Sequence, residues 1–187
     1  MSINRRDALK NMVLMMGGTM VGANVILTGC APEDRIEGLD FKEEDIAFLD
    51  EIGEAIIPAT DIPGAKAAGI GSFMVLMVKD TYNKEQQEIF VEGLNTLRKE
   101  FKDQIGSDFM RANQEERTDF LNEVNKRALA EAAERNGPHY INMLKDLTVL
   151  GYFTSEIGAT QALRYIETPG RYDPCVDYKK GDKAFAI

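Results

Sequence analysis

The chain has 187 residues, of which 28% are charged, and it carries a formal net charge of −9 at pH 7. This length suits one hydrophobic core and is short for two independent domains. The acidic balance repels phosphate backbones and anionic lipid headgroups, and no stretch clusters lysine or arginine densely enough to reverse it. The composition therefore argues against a nucleic-acid partner and favours a single acidic domain.

The amino-terminal segment has the pattern of an export signal. Arg5 and Arg6 precede a modest, glycine-diluted apolar stretch at 11–27. Adjacent arginines ahead of a weakly apolar segment are typical of the twin-arginine signal, which directs folded proteins across the inner membrane. Asn4 and Ala8 depart from that pattern, so secretion of the unfolded chain stays open as the alternative.

A lipid-attachment site follows this signal. Residues 27–30, with the sequence LTGC, resemble the site where a lipoprotein signal peptidase cuts before a lipid-modified cysteine. Acyl chains on Cys30 would anchor the protein, because each buried methylene contributes about 0.8 kcal/mol. A chance cysteine behind an ordinary leader is the alternative. We expect a signal at 1–29, a polar tether at 30–39 and a domain at 40–187, giving a periplasmic, lipid-anchored protein.

Apolar residues at helical spacing predict an all-α domain of about five or six helices. Asp40 and Glu43 form the expected capping pair of the first helix, whose apolar positions repeat until Pro58. The segment 58–71 is rich in proline and glycine and is predicted to be a loop. A short, strongly apolar helix at 73–78 follows, and we expect it to lie at the centre of the fold.

Two longer helices are predicted in the middle of the chain. Asn83 with Gln86, and Asn113 with Glu116, are pairs that can cap their starts. The buried stripe expected on the first of them consists of Phe90, Leu94, Leu97, Phe101 and Ile105.

The last predicted helices lead into an irregular tail. One helix begins near Pro138, and Ser155 is expected to cap a short sixth helix. The buried stripe expected on the former consists of Ile141, Leu144, Leu147 and Leu150. From Pro169 onward, turn residues occur every few positions and no strand pattern is visible, so the tail is expected to be ordered only by the surface it lies against.

Residue types that carry catalysis or bind metals are scarce. The chain has one histidine, His139, and one cysteine besides Cys30, namely Cys175. Zinc, iron–sulfur and covalent haem sites need several such ligands at set spacing. We expect His139 to be a surface or capping residue, and the acidic residues at 43–45 and 115–116 to be solvated first turns. No catalytic, cofactor-binding or metal-ligating residue is therefore predicted, with an unrecognised carboxylate site as the alternative.

A folded-export signal on a chain without a cofactor site suggests that the cofactor belongs to a partner exported with it. The chain resembles the gluconate 2-dehydrogenase subunit 3 family in four segments that span nearly all of its mature part. These segments are IIPATDIPGAKAAG at 56–69, LKDLTVLGYFTSEIGATQALRY at 144–165, PGRYDPC at 169–175 and YKKGDKAFA at 178–186.

The resemblance implies the small subunit of a membrane-associated sugar, sugar-acid or polyol dehydrogenase. In that family the large subunit is an FAD-containing flavoprotein of the glucose-methanol-choline class, and a cytochrome c subunit with haem c often takes the electrons. The small subunit supports export and maturation of the large one and carries no catalytic residues. A freestanding lipid-anchored binding or scaffold protein without a dehydrogenase partner is the competing hypothesis.

Amphipathic aromatic residues are concentrated in the last quarter of the chain, and this residue type anchors protein interfaces. The candidate partner contacts are Tyr152, Phe153, Tyr165, Tyr172, Cys175 and Tyr178. The aromatic rings could equally fold back on the helices, and both interpretations stay open at this point. For Cys175, a covalent link to the partner and an inert thiol are the two alternatives.

Overall fold

Five α-helices form the described part of the chain, with shorter helical turns between and after them. The computed structural model describes residues 39–132, 137–168, 170 and 175–186. The α-helices are α1 (Glu43–Ile56), α2 (Ile70–Thr81), α3 (Lys84–Ile105), α4 (Gln114–Ala130) and α5 (Tyr140–Thr154). The shorter turns are 3₁₀ helices at Lys66–Ala68 and Phe109–Arg111 and a π-helical turn at Gly158–Ala162. The predicted helical domain is confirmed. Among the candidate site residues of the sequence analysis, Arg5, Arg6, Cys30 and Tyr172 lie outside the described residues.

The starts of α3 and α4 are capped as the sequence predicts. Asn83 accepts a hydrogen bond from the Gln86 N–H (2.9 Å), and the Gln86 side chain accepts one from the Asn83 N–H (3.1 Å). Asn113 and Glu116 make the same reciprocal pair at the start of α4. These bonds satisfy backbone donors that have no partner inside the helix. Local sequence was enough to locate both helix starts.

The capping pair predicted for α1 is wrong. The residue before the helix is Lys42, and its N–H donates to Asp45 Oδ2 (2.9 Å). Arg98 of α3 also donates to Asp45, at 2.6 Å. Asp45 therefore defines this helix start, because it serves both the Lys42 backbone and a cation from a distant helix.

The core is centred on α1, which packs against α2, α4 and α5. Phe48, Leu49 and Ile52 of α1 are almost completely buried. Next to them, the rings of Phe101 and Phe109 pack edge to face, with their centroids 4.9 Å apart. The short apolar helix α2 packs against both α1 and α5 and buries Ile70, Met74 and Val78, while Leu76 stays exposed.

Two apolar residues placed in buried stripes by the sequence are exposed. Ile105 is the last residue of α3 and lies at the surface. Leu150 of α5 is 47% exposed, while its neighbour Gly151 is buried. Gly151 occupies the inward position because α2 approaches α5 closely there, as described below. The predicted stripe is correct for the other positions of both helices.

A short parallel strand pair, which the sequence did not predict, ties the end of the chain to the segment after α5. Strand β1 (Arg164–Tyr165) pairs with β2 (Phe185–Ala186), with Arg164 opposite Phe185. The Arg164 N–H donates to the Ala184 carbonyl at 2.8 Å. Each strand has two residues, which is too short to show an alternating pattern in the sequence.

Carboxylates of α1 hold the proline- and glycine-rich loop that leads into α2. Glu54 accepts hydrogen bonds from the N–H groups of Ala59 (2.8 Å) and Lys66 (3.0 Å). Asp50 accepts one from the Gly71 N–H (2.7 Å) in the first turn of α2. This loop is therefore fixed from the α1 side, and it sets where α2 begins.

Candidate partner-binding surface

Two neighbouring helices, α2 and α5, each contain a long stretch without charged residues. These stretches are 70–78 (IGSFMVLMV) and 147–155 (LTVLGYFTS), in a chain of which 28% of residues are charged. The two helices pack directly on each other. A Cβ atom added to Gly151 would lie 2.5 Å from the Phe73 ring, so the absence of a side chain at Gly151 is what lets the helices approach.

Several apolar side chains on these helices point away from the core. Leu76 of α2 is 57% exposed, and Phe73, one turn away from it, is partly buried against α5. On α5, Val149, Leu150 and Phe153 are exposed at the i, i+1 and i+4 positions of one helix face. We call these five residues, Phe73, Leu76, Val149, Leu150 and Phe153, the outer α2–α5 face. Its five side chains are apolar, and exposed charged residues border it one turn away, namely Lys79 and Asp80 on α2 and Asp146 on α5.

The sequence predicts a central helix at 73–78 and a buried position for Leu150, so it does not predict the outer face. A helix that is apolar all round does not reveal by periodicity which side is covered. The available signal was the length of the uncharged stretches, since an ordinary surface helix alternates an apolar stripe with charged positions.

Tyr152, a candidate partner contact, packs against its own chain. Its side chain is 4% exposed, and its hydroxyl donates to the Pro63 carbonyl at 2.8 Å. Burial raises the pKa of the Tyr152 hydroxyl above its usual value, and the charge of Glu54 adds to this rise. Of the two interpretations left open for the aromatic residues, self-packing is the one that the structure gives for this ring.

The segment after α5 begins with a tight turn that only glycine fits. Ser155 Oγ accepts a hydrogen bond from the Gly158 N–H (3.0 Å), as expected for a residue that caps a short helix. A Cβ atom on Gly158 would overlap the Tyr152 carbonyl oxygen. The turn is π-helical, a rare geometry that often occurs near functional sites. It connects α5, which ends at Thr154, to β1, which begins at Arg164.

The remaining described candidates, Tyr165, Cys175 and Tyr178, are exposed, with Tyr178 at 75%. They lie in or beside the paired strands, and we call residues 164–168 and 175–186 together the carboxyl-terminal arm. Val176, Tyr178 and Phe185 of this arm line a shallow cleft of about 450 Å³. The Arg164 guanidinium lies 3.7 Å from the centre of the Phe185 ring, a cation–π contact at the surface.

Other polar residues of the described chain make hydrogen bonds that stabilise the fold. His139 Nδ1 accepts a hydrogen bond from the Ile141 N–H at 3.1 Å at the start of α5, so its predicted capping role is confirmed. Arg117 is buried and donates to Glu51 and to the Phe109 carbonyl. No group of three or more potential metal ligands occurs among the described residues. Within the same residues, none of the helices is both long and apolar enough to cross a bilayer.

Comparison with known proteins assigns the class of this helical scaffold. The profile of the family gluconate 2-dehydrogenase subunit 3 matches residues 43–170, which is more than half of the chain. The chain therefore belongs to the gluconate 2-dehydrogenase subunit 3 family, whose members are subunits of a dehydrogenase complex. No curated protein and no solved structure matched the chain. The family match includes the outer α2–α5 face and β1, and it ends before β2.

Proposed function

We propose that this protein is the non-catalytic small subunit of a periplasmic, membrane-associated dehydrogenase for a sugar, sugar acid or polyol. Catalysis takes place in a large flavoprotein subunit of the glucose-methanol-choline class, which holds FAD. A cytochrome c subunit with haem c is a further expected member of the complex. The observation that carries this proposal is the family match over residues 43–170.

The surface of the chain supports a role in assembly. A monomeric protein seldom exposes apolar side chains on neighbouring helices together with aromatic residues on a short arm that is held by one pair of two-residue strands. Both features occur here, on the outer α2–α5 face and on the carboxyl-terminal arm. Tyr165, Tyr178 and Phe153 are exposed and are candidates for partner contact, and Cys175 is also exposed and is a candidate for a covalent link.

The same proposal gives the amino-terminal segment its purpose. Arg5 and Arg6 direct the chain to the translocase for folded proteins, and the flavoprotein crosses with it after FAD has been inserted. Cys30 then becomes the acylated first residue and keeps the complex at the membrane. In this scheme one small chain supplies the export signal, the anchor and a surface that holds the enzyme.

Exchange of both arginines tests the export part of the proposal. The variant Arg5→Lys with Arg6→Lys keeps the positive charge of the signal and removes the arginine pair. We expect both this chain and the flavoprotein to stay in the cytoplasm, as measured by fractionation, immunoblotting and flavin content. Lys10→Arg is the matched control and should leave export unchanged. Active flavoprotein in the periplasm of the double variant would refute the escort role.

Lipid anchoring at Cys30 can be tested separately from export. The intact mass of the mature chain should correspond to a polypeptide that begins at Cys30 and carries diacylglycerol. Cys30→Ser should release the complex from the membrane fraction without abolishing dehydrogenase activity. An unmodified Cys30 in the mature protein would refute lipid anchoring and leave the role as a subunit in place.

A further inference from the structure

We propose that the outer α2–α5 face is the surface on which the dehydrogenase subunit docks, and that it meets an apolar, uncharged patch of that subunit. This inference rests on the proposed function, because it identifies the surface through which the small subunit holds its partner. It assigns the main contact to the helices, where the sequence had placed the candidate contacts mostly in the carboxyl-terminal region.

The chemistry of the outer face favours an apolar partner surface. Leu76, Val149, Leu150 and Phe153 leave apolar surface in contact with water, and no charged side chain lies within 70–78 or 147–155. A charge that a partner placed directly against these four apolar side chains would lose its hydration and find no counter-charge among them. The matching surface must therefore be apolar as well.

The outer face already has its shape before a partner binds. Phe73 is held in place by the close approach at Gly151, and the first turn of α2 is fixed by the hydrogen bond from Gly71 to Asp50. Side chains on packed helices lose little further freedom when a partner covers them, which lowers the entropic cost of association.

Charge decides between the possible occupants. The chain carries a net charge of −9, so two copies that docked through this face would repel each other electrostatically. An anionic membrane surface would be repelled in the same way. Family membership supplies an occupant that is neither a second copy nor a lipid surface, namely the dehydrogenase subunit.

The exposed area agrees with a contact of this kind. The four exposed residues of the face leave roughly 350 Å² accessible, within the range of the largest patch on a typical monomer, which is often functional. A stable interface buries about 800 Å² on each partner. Tyr165, Val176, Tyr178 and Phe185 of the arm expose a comparable further area. A partner that covers both surfaces reaches the size of a standard interface, and the turn at Gly158–Ala162 is the short segment that joins α5 to the arm.

The test uses substitutions that are matched in chemistry and exposure. Leu76→Asp and Leu150→Asp place a carboxylate on the outer face. Leu129→Asp makes the same change on α4, where Leu129 is 61% exposed and lies outside the face. Leu76→Lys repeats the first change with the opposite charge. The three positions changed in these four variants are solvent-exposed, so circular dichroism and thermal unfolding should be unaffected.

Each variant is expressed at its natural locus, and the complex is immunoprecipitated from solubilised membranes with antibodies against this chain. The dehydrogenase subunit is identified by peptide mass spectrometry and by its flavin. We expect a reduction of about 100-fold or more in the affinity for that subunit for the Leu76 and Leu150 variants, because each buries a large part of a leucine side chain on binding. Leu129→Asp should retain the subunit.

The possible results separate the two proposals. Absence of a flavoprotein from the unaltered complex would overturn the proposed function, and the docking inference with it. Equal retention by all variants would overturn only the docking site. A dimer of this chain that Leu76→Asp dissociates, or loss of membrane association by the variants while the complex persists, would assign the face to a second copy or to lipid and overturn the inference.

Discussion

Arg117 is expected to be the most important single polar side chain for the stability of the helical domain. It lies on α4, and its side chain is 9% exposed. Its Nε donates to the Phe109 carbonyl (2.8 Å), its Nη2 to the Met110 carbonyl (3.0 Å), and its Nη1 to Glu51 of α1. One guanidinium thus connects α1, α4 and the 3₁₀ turn that carries Phe109 into the core.

The change Arg117→Met keeps most of the side-chain volume and removes all three hydrogen bonds. Breaking a buried ion pair from one side costs about 3–5 kcal/mol. Glu51 keeps Lys66 as a second cation at 2.5 Å, so we expect the lower end, a loss of about 3 kcal/mol in the free energy of unfolding. With a urea dependence of about 2 kcal/mol per molar, the unfolding midpoint should fall by roughly 1.5 M.

Urea unfolding followed by circular dichroism measures this change. The matched control is Lys126→Met on the same helix, which removes an exposed pair with Glu123 at 3.9 Å and should cost less than about 0.5 kcal/mol. If Arg117→Met shifts the midpoint no more than Lys126→Met does, the structural role assigned to Arg117 is refuted.

Three further outcomes follow from the same structure. Gly151→Val should lower the thermal midpoint, with a loss of about 2–3 kcal/mol, because its side chain would collide with Phe73 and force α2 away from α5. Burial raises the pKa of Asp50, and the hydrogen bond from Gly71 only partly offsets this rise. The contribution of Asp50 to stability is therefore largest at acid pH and is lost as pH rises through its folded pKa. In Asp50→Asn, the free energy of unfolding should vary less with pH over this range, and it should be no lower at pH 7 than in the unaltered protein. Tyr152→Phe should cost about 1 kcal/mol in urea unfolding, since the loop loses one hydrogen bond.

Helix starts could be predicted from the sequence where the capping partners are close in the chain. Asn83 and Asn113 each pair with a residue three positions away, so the pattern itself carries the geometry. The start of α1 could not be predicted this way. It depends on Asp45, whose second partner Arg98 is 53 residues away and is brought there only by packing of α3.

The parts of the binding surface that escaped prediction depend on non-local packing. Leu76 and Leu150 lie in uncharged stretches of their helices, and the packing of neighbouring helices decides which side of each stretch is covered. The pairing of Arg164 with Phe185 joins residues 21 positions apart through two-residue strands. The exposed aromatic residues of the arm were predicted as partner contacts from their residue type alone. The same criterion selected Tyr152, which is buried.

In the proposed arrangement, folding and partner binding use different sides of the same helices. The polar contacts that fix the loop and the first turn of α2 come from Asp50 and Glu54, which lie on the α1 side of that helix. The outer face takes part in none of these hydrogen bonds. Substitution of Leu76 or Leu150 should therefore weaken association while leaving the unfolding transition in place, whereas loss of Arg117 should unfold the domain and abolish association together. That difference is what allows a binding defect at the outer face to be told apart from a folding defect.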